Sequence, residues 1–418
     1  MVVLMKKNIP LIVVLCLICS CSSDSGSPGT EARPPEKITI SGAGNLGVFD
    51  PSVERDQATG RTWMSYSSVD TSGYSVYNNP GVVYWQVSIR LAYSDDNGIT
   101  WQDAGSAVSP SIETLVGPLT PAVGSIPANS LGIWQSEMSS LSYDPSAPAN
   151  ERWKLVWHQY LNANLVSYFV DYAWVSLKMA ATPEELVSAT PVKLFGGAGL
   201  SADNTNSGSP IFAPIGGAPL IQLNTDITNA VGAADVSELT WCIWAESGLH
   251  ATSDALYLAI YCADASTVPS TGSVTEYVVY FRCPGPCDIT NATGWEYIGR
   301  LLAPADAQAA TGDHHFQAPA LVEKNGGTYL LVTPVDTTTA DDRYNGCRLY
   351  KLTDINSNQL ERSGGLLVEY QHVDGDAGTH FGACDSYSGL DGGILLSQQG
   401  TVGTADTFQI YKSQVSLP

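Results

Sequence analysis

Three acidic residues stand near the start of short β-like segments that are far apart in this chain: Asp50, Glu137 and Glu246. Their segments read VFDPSV, QSEMS and WAESGL. Carboxyl groups held close together can perform acid and base catalysis, because one can donate a proton while another accepts one. A third carboxylate nearby raises the pKa of the acid by repulsion between like charges. This chemistry requires a fold that brings all three side chains into one cavity.

The segments that carry these residues belong to a repeat. Runs rich in Tyr, Trp, Val and Ile alternate with Gly, Pro, Asn and Asp, which is typical of strands and turns. First strands begin near Gly47, Gln135, Trp241, His315 and His380, second strands near Thr62, Arg152, Asp254, Gly327 and Gly392, and third strands near Ile89, Ala173, Tyr277, Gly346 and Phe408. Three strands repeated five times, with room for a fourth, predict an all-β fold, the five-bladed β-propeller, over residues 38–418. A sandwich would not explain the fivefold order.

The first strand of each propeller blade lines the central channel, so the carboxylates should meet at one mouth. Alignment of the first strands places Glu137 and Glu246 at the position of Asp50, with Ala318 there in blade four. Blade five offers His380 and Asp385. The convincing helical signal is a single turn at 182–186, TPEEL, with Pro at its start.

The segment SDDNGITW at 94–101 fits the Asp-box, S-x-D-x-G-x-T-W, known from sialidase-type and related propellers. Gly98 can adopt a positive φ angle, and Ser94 and Asp96 can bond the turn amides. Trp101 would pack between sheets. We expect a structural hairpin turn that says little about chemistry.

The VFDPSV segment and the blade rhythm resemble the five-bladed glycoside hydrolases of the arabinanase/xylosidase type (family 43) and their invertase-like cousins. That family uses one acidic residue on the first strand of each of its first three blades. The resemblance implies that Asp50 is the general base, Glu137 an orienting and tuning residue, and Glu246 the general acid, in an inverting hydrolysis of poly- or oligosaccharide. The family usually has Asp in blade two, and Asp254 competes with Glu246 for the acid role.

Candidate substrate-binding residues lie beside these carboxylates. Trp134 and Trp244 could stack on sugar faces, although most propeller tryptophans belong to the core. In the resembled family an inner-strand His of a late blade often lies below the site, near a central ion or water, which points to His315 or His380. The chemistry requires no cofactor and no metal ligand set is predicted, but a central divalent cation such as calcium is compatible with the resemblance. The stretch 196–235 is predicted to be an inserted loop.

Two other functions fit part of the pattern. A sialidase-like exo-glycosidase would share the Asp-box, but it needs three arginines that clasp a carboxylate, and the predicted inner strands contain none. A noncatalytic propeller that binds glycan or protein also fits, because fold alone does not decide function.

The N-terminus indicates export. Lys6 and Lys7 precede an apolar run, residues 9–18, that is too short to span a bilayer. The following ICSC resembles the bacterial lipobox and ends at Cys21, the residue that would be lipidated; an ordinary cleaved signal is the alternative. We therefore predict a signal peptide at 1–20 and a flexible tether at 21–37. Ser22 favours the outer membrane or cell surface of a bacterial envelope by the family sorting pattern.

The composition limits the classes of molecule that the protein is expected to bind. The chain has 41 acidic and 19 basic residues and a net charge of −22, which repels phosphate backbones and argues against nucleic acid. We expect a monomer whose partners are carbohydrate and, through its lipid, the membrane.

Six cysteines outside the signal and lipobox form an even set, which favours disulfides in an exported protein. They are Cys242, Cys262, Cys283, Cys287, Cys347 and Cys384. Cys283 and Cys287 flank Pro-Gly-Pro and could close a small loop, and Cys242 could meet Cys262.

Overall fold

The computed structural model describes residues 34–43, 46–76, 79–114, 131–163, 166–195, 239, 242–264, 274–291, 294–336, 343–373, 380–386, 393–400, 408–415 and 417–418. The predicted signal, Cys21 and the 196–235 insertion lie outside these residues. Within the described part, no helix combines the length and the apolar composition needed to cross a membrane.

The described strands form five antiparallel blades, as the repeat predicts. After β1 (Glu36–Lys37), blade one contains β2 (Gly47–Arg55), β3 (Thr62–Val76), β4 (Asn79–Ser94) and β5 (Gln102–Val108). Blade two contains β6 (Ser111–Thr114), β7 (Leu131–Tyr143), β8 (Trp153–Ala163), β9 (Val166–Ala180) and β10 (Val192–Phe195). Blade three contains β11 (Cys242–Ala251), β12 (Ala255–Asp264), β13 (Thr275–Pro284) and β14 (Glu296–Leu302).

The last two blades carry additional short elements. Blade four follows helix α1 (Pro304–Ala310) and contains β15 (His315–Lys324), β16 (Gly327–Asp336), β17 (Arg343–Tyr344), β18 (Cys347–Lys351) and β21 (Glu369–Val373). A hairpin of β19 (Arg362–Ser363) and β20 (Leu366–Leu367) lies between β18 and β21 in the chain. Blade five contains β22 (Phe381–Asp385), β23 (Leu395–Gln398) and β24 (Gln409–Lys412).

Strand β1 contributes to the last blade, although it precedes the first one in the chain. Strand β1 pairs with β24, with Glu36 opposite Lys412, so it forms the outermost strand of blade five. At the junction of blades five and one, Gly47 has a φ of 108° and a Cβ there would lie 1.9 Å from the carbonyl oxygen of Phe408. Only glycine permits this close approach of two backbones.

Apolar side chains between neighbouring blades form the core. Val156 and Leu177 of blade two pack with Leu258 and Phe281 of blade three, and similar clusters fill the other interfaces. The central channel is lined instead by many small polar residues. The burial of apolar surface that stabilises the fold therefore takes place mainly between the blades.

Three disulfides cross-link the described residues. Cys242 bonds to Cys262, Cys283 to Cys287 and Cys347 to Cys384. The first joins β11 to β12, the second closes the turn after β13, and the third joins blade four to blade five. The predicted pairings of Cys283 with Cys287 and of Cys242 with Cys262 are confirmed.

The segment 94–101 forms a tight turn around one carboxylate. Asp96 Oδ1 accepts the N–H groups of Ile99 and Thr100 at 3.1 and 2.8 Å, and the Thr100 hydroxyl donates to Oδ2 at 2.6 Å. Gly98 has a φ of 81°, and Trp101 is buried. The hydrogen bonds from Thr100 and its neighbours lower the pKa of Asp96 to about 2. This carboxylate therefore has a structural task.

The helical elements are short. The helical turn predicted at 182–186 is present as a short 3-10 helix at Glu184–Val187. Helix α1 escapes sequence analysis because seven residues are too few for a helical period to be recognised. Asp306 fixes its first turn by accepting the N–H of Ala303 at 3.0 Å.

Candidate active site

Each first strand contains an irregularity that shapes the channel. In every blade the pairing with the second strand skips two residues, and a bulge of this kind bends a strand and re-aims its side chains. The paired residues that flank the skipped positions are Phe49 and Ser52, Glu137 and Ser140, Trp244 and Ser247, Gln317 and Ala320, and Gly382 and Asp385.

The backbone at four of these bulges is unusual. The first skipped residue has positive φ in blades one, two, four and five, at Asp50 (51°), Met138 (55°), Ala318 (51°) and Ala383 (46°). Non-glycine residues adopt this conformation rarely, and such positions cluster at functional sites. The strain recurs at the equivalent position of four first strands.

The bulges correct the predicted alignment of the three acids. Asp50 is the first skipped residue of its bulge, and Ala318 does share that position. Glu137 still pairs with His158 and therefore precedes its bulge, whereas Glu246 is the second skipped residue. The prediction of equivalent positions is wrong by one residue in blades two and three, because a bulge leaves no mark in a hydrophobic pattern.

The three carboxyls nevertheless lie close enough together for their charges to interact. Burial raises the pKa of Asp50 well above its usual value, and the charges of Glu137 and Glu246 raise it further. Since like charges shift a pKa appreciably only at short range, these three groups form one electrostatic cluster.

Asp50 is the most enclosed member of this cluster, with 3% of its surface exposed. Its Oδ2 accepts the hydroxyl of Ser67 at 3.1 Å, and its own N–H donates to Ser397 Oγ at 2.7 Å. Ser67 Oγ also accepts the N–H of Met138 at 3.2 Å, which ties blade one to blade two. Within the described part of the chain, Oδ1 is buried without a hydrogen-bond partner.

Glu137 and Glu246 are half-buried, and each has a defined partner. Burial raises the pKa of Glu137 to about 7, although the hydroxyl of Tyr160 donates to it and opposes the shift. Burial raises the pKa of Glu246 to about 8; the N–H of Ala318 donates to Oε2 and lowers the value, and the charge of Glu137 raises it. With a pKa of about 8, Glu246 carries a proton at neutral pH, which suits a general acid.

Tyr344 is a member of the site that sequence analysis missed. Burial raises its pKa well above the usual value, and the charges of all three carboxyls raise it further, so its hydroxyl lies beside the cluster. Its ring packs over Gly382, where a Cβ would lie 2.7 Å from the ring. Gln399 holds it in place by accepting the Tyr344 N–H at 3.1 Å and donating its own N–H to the His380 carbonyl at 3.0 Å.

His380 remains a predicted substrate-binding residue. It is half-buried, has a φ of 38° and precedes β22 on the side of the channel where Tyr344 lies. A strained residue at such a position agrees with a functional role.

Three other predicted side chains lie in the protein interior. Trp134 and Trp244 are each 1% exposed, and Trp244 packs edge-on against Phe281 at 6.1 Å. Neither can offer a ring face to a sugar, so this prediction is wrong. His315 is buried between Tyr261, at 5.9 Å between ring centroids, and Glu276, at 3.9 Å. It belongs to the packing between blades three and four.

Two further acidic residues differ in how they relate to the predicted set: Asp254 lies away from it, whereas Asp385 lines the same space as Asp50 and Glu246. Asp254 is exposed in the turn joining β11 to β12, at the far end of β11, so it does not compete with Glu246. Asp385 accepts the N–H of Val53 at 2.8 Å and of Ser386 at 2.7 Å, which fastens blade five to blade one. Burial raises its pKa to about 7.

The site residues that the sequence did not predict all lie outside the first strands. Ser67 and Tyr160 belong to second strands, and Tyr344 belongs to the short β17, whereas the sequence prediction considered acidic residues of the first strands only.

In the described residues, no group of three or more His, Cys, Asp or Glu side chains is arranged to hold a metal ion.

Comparison with protein-family models and with curated proteins finds no match. Among solved structures, a family 32 glycoside hydrolase from Bifidobacterium adolescentis is similar, with 11% identity, a TM-score of 0.49, and coverage of 91% of this chain and 56% of that one. A native arabinanase from Bacillus subtilis has 12% identity, a TM-score of 0.40, and coverage of 89% and 96%. A family 117 glycoside hydrolase from the marine bacterium Zobellia galactanivorans has 12% identity, a TM-score of 0.44, and coverage of 92% and 90%. These similarities concern the fold, and this chain spans little more than half of the Bifidobacterium protein.

Proposed function

We propose that this protein is a glycoside hydrolase that cleaves a poly- or oligosaccharide with inversion at the anomeric carbon. The observation that carries the proposal is the electrostatic cluster of Asp50, Glu137 and Glu246, whose pKa values are all raised. Cleavage of a glycosidic bond requires a protonated carboxyl beside an ionised one, and this cluster can supply both.

Glu246 is the proposed general acid. With a pKa of about 8 it holds a proton at neutral pH, and the Ala318 amide engages Oε2, which leaves Oε1 to carry that proton. In the reaction this proton passes to the glycosidic oxygen as its bond to the sugar carbon breaks.

Asp50 is the proposed general base. Its Oδ1 has no partner among the described residues and can accept a proton from the attacking water, whose oxygen bonds to the anomeric carbon from the opposite face. Protonation of Glu246 removes one negative charge from the cluster and so favours ionisation of Asp50. Catalysis therefore requires the single proton of this pair to reside on Glu246 and not on Asp50, whose pKa burial also raises. Glu137, held by Tyr160, contributes the charge that keeps the proton on Glu246.

The sialidase-like alternative has weaker support. Such a site requires arginines beside the reacting carboxyls, but the groups that shift the pKa values of Asp50, Glu137 and Glu246 include no basic side chain from the described residues.

We further propose that the enzyme acts at the cell surface, held by a lipid on Cys21. The ICSC sequence after a short apolar run supports this location, as does the polar stretch that follows it.

Turnover of a panel of aryl glycosides and natural glycans tests the assignment. Asp50→Asn should retain the fold and lose about 10²–10⁴-fold in rate, the usual contribution of general-base catalysis. Glu246→Gln should lose natural substrates but retain aryl glycosides with good leaving groups, whose oxygen needs little protonation. Asp254→Asn, an exposed acid at the far end of β11, is the matched control.

Two results would reject the proposal. Wild-type turnover that survives Asp50→Asn would remove Asp50 from the role of base. Absence of turnover on every substrate, together with glycan retention that survives Asp50→Asn, would identify a binding protein.

A further inference from the structure

Blade five holds the bulge of Asp50 from both sides. The Asp50 N–H donates to Ser397 Oγ of β23 at 2.7 Å, and the Val53 N–H donates to Asp385 Oδ2 of β22 at 2.8 Å. Between these two bonds the chain skips its pairing with β3, so the ladder of blade one does not fix the backbone there. Asp50 has a φ of 51°, and a strained residue of this kind persists only where its surroundings hold it. Blade five supplies a restraint on Asp50 that the pairing of blade one does not.

The bond at Val53 has equivalents at two other junctions between blades. In blades one and two the first paired residue after the bulge is a serine, whose hydroxyl accepts an N–H from the first strand of the next blade. The pairs are Ser52 with Leu141 at 3.0 Å and Ser140 with Leu249 at 2.8 Å. Asp385 is the first paired residue after the bulge of blade five, and it accepts from Val53 in the same way. A serine therefore suffices to join two blades, yet the junction with the strand of Asp50 has a carboxylate.

The Asp385 carboxylate makes more bonds than a serine could. Its Oδ1 accepts the N–H of Ser386 at 2.7 Å, and the hydroxyl of Ser52 also donates to this carboxyl. One side chain thus holds Ser52 and Val53, the two residues that follow the bulge. Asp385 is 7% exposed and lines the narrow channel space that Asp50 and Glu246 also line.

A carboxyl at this position carries a cost that a serine would not. Burial raises the pKa of Asp385 to about 7, and the charge of Glu54 contributes to this rise. An ionised group is therefore disfavoured here, whereas the equivalent junctions use a neutral hydroxyl. This cost indicates that Asp385 has a task beyond joining blades five and one.

We propose that Asp385 is a positioning residue for the proposed base. It fixes the segment Ser52–Val53 and so holds the carboxyl of Asp50 in the orientation that activates water. Asp385 itself contacts no reacting atom, and no bond to it changes during the reaction. The inference rests on the proposed hydrolase function.

Asp385→Ala and Asp385→Ser form a matched pair that tests this role, because they differ by a single hydroxyl. A misplacement of about 1 Å can cost roughly 10²-fold in rate, so kcat of Asp385→Ala should fall about 10- to 100-fold. KM should stay within about twofold, because Asp50 acts on the attacking water. Asp385→Ser returns an acceptor for the Val53 N–H, and its kcat should exceed that of Asp385→Ala by about fivefold, the rate equivalent of one hydrogen bond.

The measurement uses a substrate that the wild type cleaves and takes kcat from the plateau of each pH profile, since removal of a carboxyl alters the charge around the site. Ser413→Ala is the control for loss of a buried acceptor elsewhere in blade five. Ser413 Oγ accepts the N–H of Ile394 at 3.2 Å, so its loss should lower the melting temperature and leave kcat and KM unchanged. Equal kcat values for Asp385→Ala and Asp385→Ser, or an unaltered kcat in Asp385→Ala, would overturn the proposal.

The remaining outcomes separate this role from the hydrolase function. No turnover by the wild type rejects both, whereas turnover with equal kcat in the matched pair rejects the positioning role alone. If Asp385→Ala does not fold, Asp385→Asn decides, because an amide has one oxygen for the two N–H groups that the carboxylate accepts. A lower kcat together with a displaced Asp50 in its crystal structure supports the proposal. A lower kcat with Asp50 in place, or an unaltered kcat, overturns it.

Discussion

The raised pKa of Glu246 makes a quantitative prediction about stability. Burial raises this pKa from its usual value near 4.5 to about 8, so the folded protein holds a proton that the unfolded chain has already lost. Stability must therefore fall as pH rises from about 4.5 through about 8. Between pH 5.5 and pH 9 this one group lowers the free energy of unfolding by about 3 kcal/mol.

Glu246→Gln should remove this loss, because glutamine has nearly the same shape and no charge to bury. A domain of this size has an unfolding entropy of roughly 0.8 kcal/mol per kelvin, so 3 kcal/mol corresponds to about 4 °C. We expect the melting temperature of the variant, measured relative to wild type, to rise by about 4 °C between pH 5.5 and pH 9. Thermal unfolding followed by circular dichroism at both pH values measures this difference.

Glu361→Gln is the matched control for the same chemical change. Hydrogen bonds from Tyr370 and Lys351 lower the pKa of Glu361, so this group is ionised in both folded and unfolded chains across the interval. Its melting temperature relative to wild type should be the same at both pH values. If Glu246→Gln behaves in this way too, the carboxyl of Glu246 is not held protonated by the fold and the reasoning about the acid fails.

Three further predictions concern the base, the cysteines and the anchor. Ser67→Ala removes a hydrogen bond that lowers the pKa of Asp50, so the acid limb of the kcat/KM profile should move up by about 0.7 pH unit; an unmoved limb would separate Ser67 from the base. Titration of the unfolded, unreduced protein should find no free thiol among the six propeller cysteines, and peptide mapping should recover Cys283 bonded to Cys287. Cells supplied with labelled palmitate should label the wild type and not Cys21→Ser; equal labelling would exclude this anchor.

The five-bladed fold could be predicted from the sequence because its signal is repeated. Each blade alone gives only short alternating segments, but five copies of one order leave few alternatives. The place of β1 in blade five could not be predicted, since a two-residue strand at Glu36–Lys37 carries no pattern of its own. Helix α1 was missed for the same reason of length.

The candidate site could be predicted in part. Asp50 stands in a distinctive segment, and its meeting with Glu137 and Glu246 follows from the propeller topology. The relative heights of these residues depend on bulges, which insert an unpaired residue without changing composition. The prediction for Trp134 is wrong because the sequence does not show whether a tryptophan of an inner strand faces the channel or the neighbouring blade.

The arrangement of the disulfides relates the site to the stability of the fold. Burying the charge of Glu246 costs about 5 kcal/mol at alkaline pH, the equivalent of the whole shift from 4.5 to about 8, and the pKa values of Asp50 and Glu137 are raised as well. Two of the three disulfides begin on first strands that line the channel, at Cys242 in β11 and Cys384 in β22. A disulfide contributes typically 2–4 kcal/mol, which is the same order as the cost of one buried carboxylate. Cross-links at these strands therefore help to offset the cost of the burial that keeps the proposed acid protonated.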